Sequence, residues 1–313
     1  MVLTITLNPS LDYTLFVRSL LVGDTNRVVR QEVDAGGKGI NLSRITAELG
    51  VESVATGFLG GSPGDFVRRV LTEQGVRDEC VPIAGETRRN FNVESIDIET
   101  PPTTLNSQGE AISGDDWRTL CGKVCELAKG AGWVAMGGSL PPMVAVDAYE
   151  ELLECARGAG AKVLVDADGE PMRHALRVRP DLLKPNAKEA ARLVGYEINT
   201  DADAIRAAKD LLENVNTGGM VVVSRGHQGA VLATAHGVWL GRSPEVDAKS
   251  TIGAGDSFLG GFLAQLVKGA APEEALRWGL AAGAATATTD GTQIGRRAVI
   301  EELLARAQVE AAG

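Results

Sequence analysis

Apolar residues along the chain fall in short runs that alternate with helically spaced stripes. Val2 to Leu7 alternates as a strand and is broken by Asn8-Pro9-Ser10. Leu11 to Val17 and Asn26 to Val33 are predicted to be extended as well. A glycine turn follows, then a helix with Ile40, Leu42, Ile45 and Leu49 at helical spacing. Val54 to Leu59 is a further strand ending in GGSPG, and Phe66, Val67, Val70 and Leu71 mark the next helix.

From Arg89 the pattern changes. Phe91 and Val93 share one parity and Ile96 and Ile98 the other, so the slip at Ser95 predicts a bulge or a turn. A second extended piece, TTLN, follows Pro101-Pro102. Segments at about residues 11–35 and 88–106 therefore predict a small sheet inserted in an otherwise alternating chain. Beyond residue 115 the alternation is regular. Helices are predicted around Trp117–Ala128, Ala148–Arg157, Lys188–Val194 and Asp203–Leu212. The strands are WVAMGG, KVLVDADG, the DLLKPN segment and MVVVSRG, then a hairpin in VLATAHGVWL turning near His236 and Gly237. A helix after Asp256 and a last pair from Glu273 onward complete the chain. Short apolar strands alternating with helices predict an α/β fold with a mostly parallel sheet covered on both faces. No repeat or interdomain linker divides residues 1–313, so one domain is expected.

Composition narrows the function. A net charge of -10 argues against nucleic acid or an anionic membrane as the main partner, because both require a basic face. Any phosphate must then be held by a few placed cations and backbone amides. No basic-then-apolar leader opens the chain and no apolar run is long enough to span a bilayer. Cys80, Cys121, Cys125 and Cys155 are too sparse for a disulfide framework. Cys121 and Cys125 share a helix face and are expected to pack as thiols, in keeping with a reducing cytoplasm.

Polar and glycine-rich clusters fall at the carboxyl ends of predicted strands, where open parallel sheets bind ligands. In STIGAGDS, Gly253, Ala254 and Gly255 strip the backbone bare just before Asp256. Helix-start amides lack intrahelical partners and sit at the positive dipole end, a fit for a transferring phosphoryl group. A carboxylate there can take the proton of an attacking hydroxyl. The same stretch also fits a glycine turn with Asp256 as an N-cap. DAGGKGIN places Lys38 and Asn41 behind a second bare turn, and Asn8 and Asp12 follow the first strand. No GxxxxGK[ST] or GxGxxG occurs, which excludes a P-loop enzyme and a dinucleotide fold, and with only His174, His227 and His236 in the chain a Ser-His-Asp hydrolase is not expected.

NPSLD, GGKGIN, GFLGG, GETR, GGSLP, KPNAKE, VSRGHQGA and STIGAGDS occur in the order and spacing of the ribokinase-like (PfkB-type) carbohydrate kinases, over essentially the whole chain. The pattern most resembles the phosphohexose branch of that family. The resemblance implies a three-layer α/β/α sandwich with a small β-sheet lid. It implies ATP-dependent phosphoryl transfer to a sugar phosphate, with Mg²⁺. Asp256 is similar to the family's catalytic base, and Gly253, Ala254 and Gly255 to its anion hole. Asp12, Gly37, Lys38 and Asn41 resemble the sugar-binding set, with Asn90 in the TRRNFN run. Arg27, Arg88 and Ser139 fall where the substrate's existing phosphate is held. Asn186 and Glu189 would order Mg²⁺ through water, and Lys184 would approach the ATP phosphates. Ser224, Gly226 and Gly229 match the nucleotide-side turn. A homodimer through the lid is implied too.

TRRNFN resembles the TRxNxK run of the 1-phosphofructokinases, which makes fructose 1-phosphate the leading acceptor and fructose 1,6-bisphosphate the product. A tagatose-6-phosphate or fructose-6-phosphate kinase is the nearest alternative, and a non-catalytic sugar-phosphate sensor is the alternative of another class. Departures from the pattern include Asn92 for lysine, Gly137 for the serine of SGSLP, Ala167 and Asp168 in DADG for DTSG, Arg225 in VSRG for VSLG, and Pro101-Pro102 in the lid.

Overall fold

The computed structural model describes residues 1–97 and 102–312. Its elements run β1 (Val2–Thr6), β2 (Ser10–Val17), β3 (Val28–Gly36), α1 (Lys38–Glu48), β4 (Ser53–Leu59), α2 (Gly61–Glu73), β5 (Arg77–Asp78), β6 (Val81–Pro82), β7 (Arg88–Ser95) and β8 (Thr103–Leu105). There follow α3 (Gly114–Ala128), β9 (Trp133–Gly137), α4 (Ala148–Gly158), β10 (Lys162–Asp166), α5 (Gly169–Arg177), β11 (Leu182–Leu183), α6 (Ala187–Val194), α7 (Asp201–Leu211) and β12 (Met220–Ser224). The chain ends with β13 (Ala230–Thr234), β14 (Gly237–Arg242), α8 (Ala254–Val267), α9 (Pro272–Ala287), α10 (Arg297–Leu304) and β15 (Gln308–Ala311).

The large sheet has the order β15-β14-β13-β12-β11-β10-β9-β1-β4-β5, with β6 also paired to β4. From β12 to β5 its pairs are parallel; β13, β14 and β15 extend it antiparallel. Strand residues alternate between two cores, as the period of two demands. Leu3, Val134, Val163 and Val221 pack with Leu120 of α3, Leu152 of α4 and Leu211 of α7. Their neighbours Val2, Trp133, Leu164 and Val222 pack with Ile45 of α1, Phe262 of α8, Leu276 of α9 and Ile300 of α10. The result is the α/β/α sandwich that the alternation of strands and helices predicts. Among the described residues no helix is long and apolar enough to cross a membrane.

A separate four-stranded sheet, β3-β2-β7-β8, is the predicted lid. β2 pairs antiparallel with β3 and parallel with β7, Asp12 facing Asn90 in register. β7 ends at Ser95, where the parity slip fell, while the lid's irregularity lies between Phe16 and Val17. Ile98 and Pro101 lie outside the described residues.

Several expectations need correction. Cys125 and Cys155 form a disulfide between α3 and α4, with Cα atoms 5.6 Å apart, instead of remaining packed thiols. The two helices pack side by side, which brings residues 30 apart in sequence together. Cys80 and Cys121 are free. The helix after the glycine loop is buried nearly all round from Ser257 to Gln265, because α1 and α9 both pack on it. α5, β5, β6 and β15 were not anticipated.

Candidate active site

Two cavities meet at the N-terminus of α8. The larger, about 1160 Å³, is lined by Ser224, Gly226 and Gly229 on one side and by Phe258, Leu280 and Ala284 on the other. The smaller, about 330 Å³, lies under the lid, whose Asp12, Arg88, Asn90 and Asn92 line it together with Lys38 and Ser139. Ala254 and Gly255 face the larger cavity, whereas Gly253 and Asp256 face the smaller. The helix mouth is therefore a shared wall.

Local sequence explains this mouth. Gly253 caps α8 in the left-handed conformation, φ 76°, which glycine adopts at no steric cost. Ala254 donates to the Thr251 carbonyl at 3.3 Å. Among the described residues the Gly253 and Gly255 amides have no protein acceptor, so two of the three predicted anion-hole donors are available. Asp256 is the third residue of the helix and not its N-cap. Its Oδ2 accepts from Asn41 Nδ2 at 2.9 Å.

The electrostatics centre on Asp166, at the end of β10. Lys38 Nζ lies 2.9 Å from its Oδ1 and Lys184 Nζ 3.3 Å from its Oδ2. Burial alone would raise the Asp166 carboxyl, but Lys184 and Lys38 outweigh it and hold the group below the usual range. Burial would likewise push Lys38 down, yet Asp166 and Asp256 keep its ammonium charged. Asp256 goes the other way. Desolvation pushes it up to about 6, with Lys38 opposing and Asp166 adding to the rise.

Under the lid, Asp12 is buried and accepts from Ser10 Oγ at 2.7 Å and Asn90 Nδ2 at 2.9 Å. Desolvation raises its pKa despite these bonds. A Cβ on Gly36 would stand 2.1 Å from Asp12 Oδ2, so the GGK turn must be glycine for the carboxyl to fit. Arg88 donates through Nε to the Asn8 carbonyl (3.2 Å) and through Nη1 to Ser107 O (2.8 Å), leaving further N–H groups for a ligand. Asn8 Nδ2 reaches Ser139 Oγ at 3.2 Å.

Most predicted residues thus converge: Asp12, Gly37, Lys38, Asn41, Arg88, Asn90, Ser139, Gly253 and Asp256 line the smaller cavity. Ser224, Gly226, Gly229, Ala254 and Gly255 line the larger. Arg27 does neither; it is exposed on the lid loop. Lys184, Asn186 and Glu189 line neither cavity. Lys184 is turned to Asp166, while Asn186 and Glu189 form a capping box at the start of α6, Glu189 N to Asn186 Oδ1 2.9 Å and Asn186 N to Glu189 Oε2 2.8 Å. Asn186 still bridges to Ser224 of the larger cavity. Of the departures, Asn92 lines the smaller cavity, Ala167 is buried, Asp168 caps α5 and pairs with Arg192, and Arg225 lines the larger cavity paired with Asp201. Sequence reasoning missed the pairing of Asp166 with Lys38 and Lys184, and it missed Asn106 and Asp201 altogether.

A model of the pfkB family of carbohydrate kinases matches residues 5–298. The chain belongs to that family. The kinase is 34% identical over 309 residues to a 1-phosphofructokinase of Bacillus subtilis (strain 168), covering 99% of both chains. It superposes on phosphofructokinase-2 from Escherichia coli in complex with substrates and products with a TM-score of 0.91, at 31% identity over 97% of this chain and 98% of that one. Ribokinase from Arabidopsis thaliana shares the fold, with a TM-score of 0.77 at 23% identity over 96% and 98% of the two chains.

Proposed function

We propose that this kinase transfers the γ-phosphoryl group of ATP to fructose 1-phosphate, giving fructose 1,6-bisphosphate and ADP. The carrying observation is the helix mouth shared by two cavities, with Asp256 at the junction. ATP occupies the larger cavity and the sugar phosphate the smaller. Asp256 takes the proton of the sugar hydroxyl, whose oxygen attacks the γ-phosphorus in line. The new O–P bond forms as the bond to the β,γ-bridging oxygen breaks, and ADP carries that oxygen away. The Gly253 and Gly255 amides hold the charge gathering on the equatorial oxygens, each donor worth about 10² to 10³ in rate. The lid excludes water that would otherwise take the phosphoryl group.

Arg88 is the cation for the acceptor's own phosphate, since the charge of Lys38 is already balanced by Asp166. The choice of fructose 1-phosphate rests on the TRRNFN run and on relatives named 1-phosphofructokinase. Asn186 and Glu189 offer only oxygen donors, and among the described residues Glu189 Oε1 accepts no hydrogen bond, which fits a hard cation that keeps its waters. Bound Mg²⁺ would neutralise charge on the ATP phosphates. The kinase acts in the cytoplasm, where ATP and phosphorylated sugars are held, as one domain with a lid and as a lid-to-lid homodimer.

An ADP-release assay across fructose 1-phosphate, fructose 6-phosphate, tagatose 6-phosphate and fructose tests this reading. Fructose 1-phosphate is expected to give the highest kcat/KM. Preference for either 6-phosphate would reassign the acceptor, turnover of fructose alone would overturn the phosphate site, and ADP release with none would leave a sensor.

A further inference from the structure

Arg225 and its partner Asp201 have no part in the chemistry above, yet both line the larger cavity. Asp201 opens α7 and accepts hydrogen bonds from two arginines. Arg225, at the end of β12, reaches its Oδ1 with a side chain only 5% exposed. Arg242, at the end of β14, reaches Oδ2 through Nη2 at 2.5 Å and Oδ1 through Nη1 at 3.3 Å, and is 44% exposed. The guanidiniums hold the Asp201 carboxyl below its usual range, so it stays charged through neutral pH. Two cations on one carboxylate leave about one positive charge at this wall.

The sheet order fixes where that wall lies relative to the chemistry. Asp166 ends β10 and Arg242 ends β14, four strand spacings further along the same edge, about 19 Å. The phosphoryl group reacts beside Asp256, which lines one small cavity together with Asp166 and Lys38. A triphosphate is only three phosphorus centres joined by two bridging oxygens and is shorter than this span, so the part of a nucleotide that reaches Arg242 is the nucleoside. Leu280 lies against Gly241 at this end, and Ala284 and Ala287 continue an apolar wall along α9 toward the mouth of α8, suited to a flat ring. Gln308, the register partner of Arg242 across β14 and β15, lines the same end. A planar guanidinium stacks on an aromatic face and can donate to ring nitrogens, which a lysine ammonium cannot reproduce.

We propose that Arg242 contacts the nucleoside end of the bound nucleotide and that Asp201, itself fixed by the buried Arg225, is the positioning residue that aims it. This rests on the nucleotide reading of the larger cavity. It also gives the leucine-to-arginine departure at Arg225 a purpose: the buried guanidinium pins Asp201 from behind, so that Arg242 is held and not merely attracted.

Arg242→Ala, Arg242→Lys and Asp201→Asn test the proposal, with steady-state kinetics and calorimetric binding of a non-hydrolysable ATP analogue to the intact protein. Arg242→Ala is expected to raise both the ATP KM and the analogue Kd about tenfold, equivalent to ~1.4 kcal/mol, with kcat and the sugar-phosphate KM within about twofold. Arg242→Lys should recover little of the loss, and Asp201→Asn should move the same constants in the same direction by less. Inorganic tripolyphosphate, which has no nucleoside, should compete equally well against wild type and Arg242→Ala. Unchanged ATP affinity in Arg242→Ala, a fall in kcat at unchanged KM, or an equal loss of tripolyphosphate binding would each overturn the assignment. Because Arg242 is half exposed, its variants should keep the wild-type Tm. If the wild type itself fails to bind the analogue, the nucleotide reading of the cavity falls, a result distinct from failure at Arg242.

Discussion

Asp256 and Asp166 are carboxylates in one electrostatic cluster whose pKa values are driven in opposite directions. Asp166 is clamped by two ammonium groups and stays ionised, whereas Asp256, desolvated and beside a like charge, is pushed up to about 6. That value suits a base that must accept a proton near neutral pH and yield it afterwards. As the proposed base, Asp256 would act in its deprotonated form, so kcat should rise through pH 6 and fall about tenfold per unit below it. A kcat that is flat from about pH 5 to 7 would contradict this assignment. The folded-state pKa lies above the unfolded value, so the ionised group costs stability at neutral pH, and the cost fades as pH falls through 6. The grouping of Asp256 with its glycines at the mouth of α8 was legible in the sequence because these residues are adjacent along it. The clamp on Asp166 was not, because Lys38 lies 128 residues away and only the sheet order brings it near.

At the scale of elements, α6 has two tasks for the same two residues. Asn186 and Glu189 close a capping box, worth about 1 kcal/mol to the helix, while they are also the proposed Mg²⁺ donors. Glu189→Gln separates these tasks, since a carboxamide still accepts from Asn186 N but loses the charge. Its Tm should stay within about 2 °C of wild type, with kcat lowered and more Mg²⁺ needed for half-maximal rate. A large Tm loss at unchanged Mg²⁺ dependence would make Glu189 a cap alone. The KPN and E spacing made this helix start readable. α5 was missed because its apolar stripe is short, Met172, Ala175 and Leu176 alone, in a segment that opens with Gly169 and Pro171. α7 starts two residues before the predicted Asp203, because Thr200 and Asp203 form a capping box with aspartate in place of the usual Glu or Gln. β15 is four residues with little burial, too short for alternation to register.

At the scale of the whole molecule, the lid exposes apolar side chains that the rest of the chain does not cover. Val28, Val29, Ile96 and Leu105 are 48, 61, 56 and 57% exposed. Such a patch on a roof over the acceptor cavity is the ground for the proposed lid-to-lid homodimer. Sedimentation should give a dimer for the wild type and a monomer for Val29→Glu, because a carboxylate buried in that contact would lack a partner. A wild-type monomer would place the oligomer reading in error without touching the chemistry. Alternating strands and helices made the sandwich and the lid legible. The sequence did not reveal that Arg27 stands off both cavities, since loop geometry, not periodicity, decides where it goes.

The most direct test of the central claim is turnover by Asp256→Asn with saturating ATP, Mg²⁺ and fructose 1-phosphate, alongside binding of a non-hydrolysable ATP analogue. The account predicts a loss of about 10² or more in kcat with analogue affinity unchanged and Tm raised. Near-wild-type turnover in that variant would contradict it.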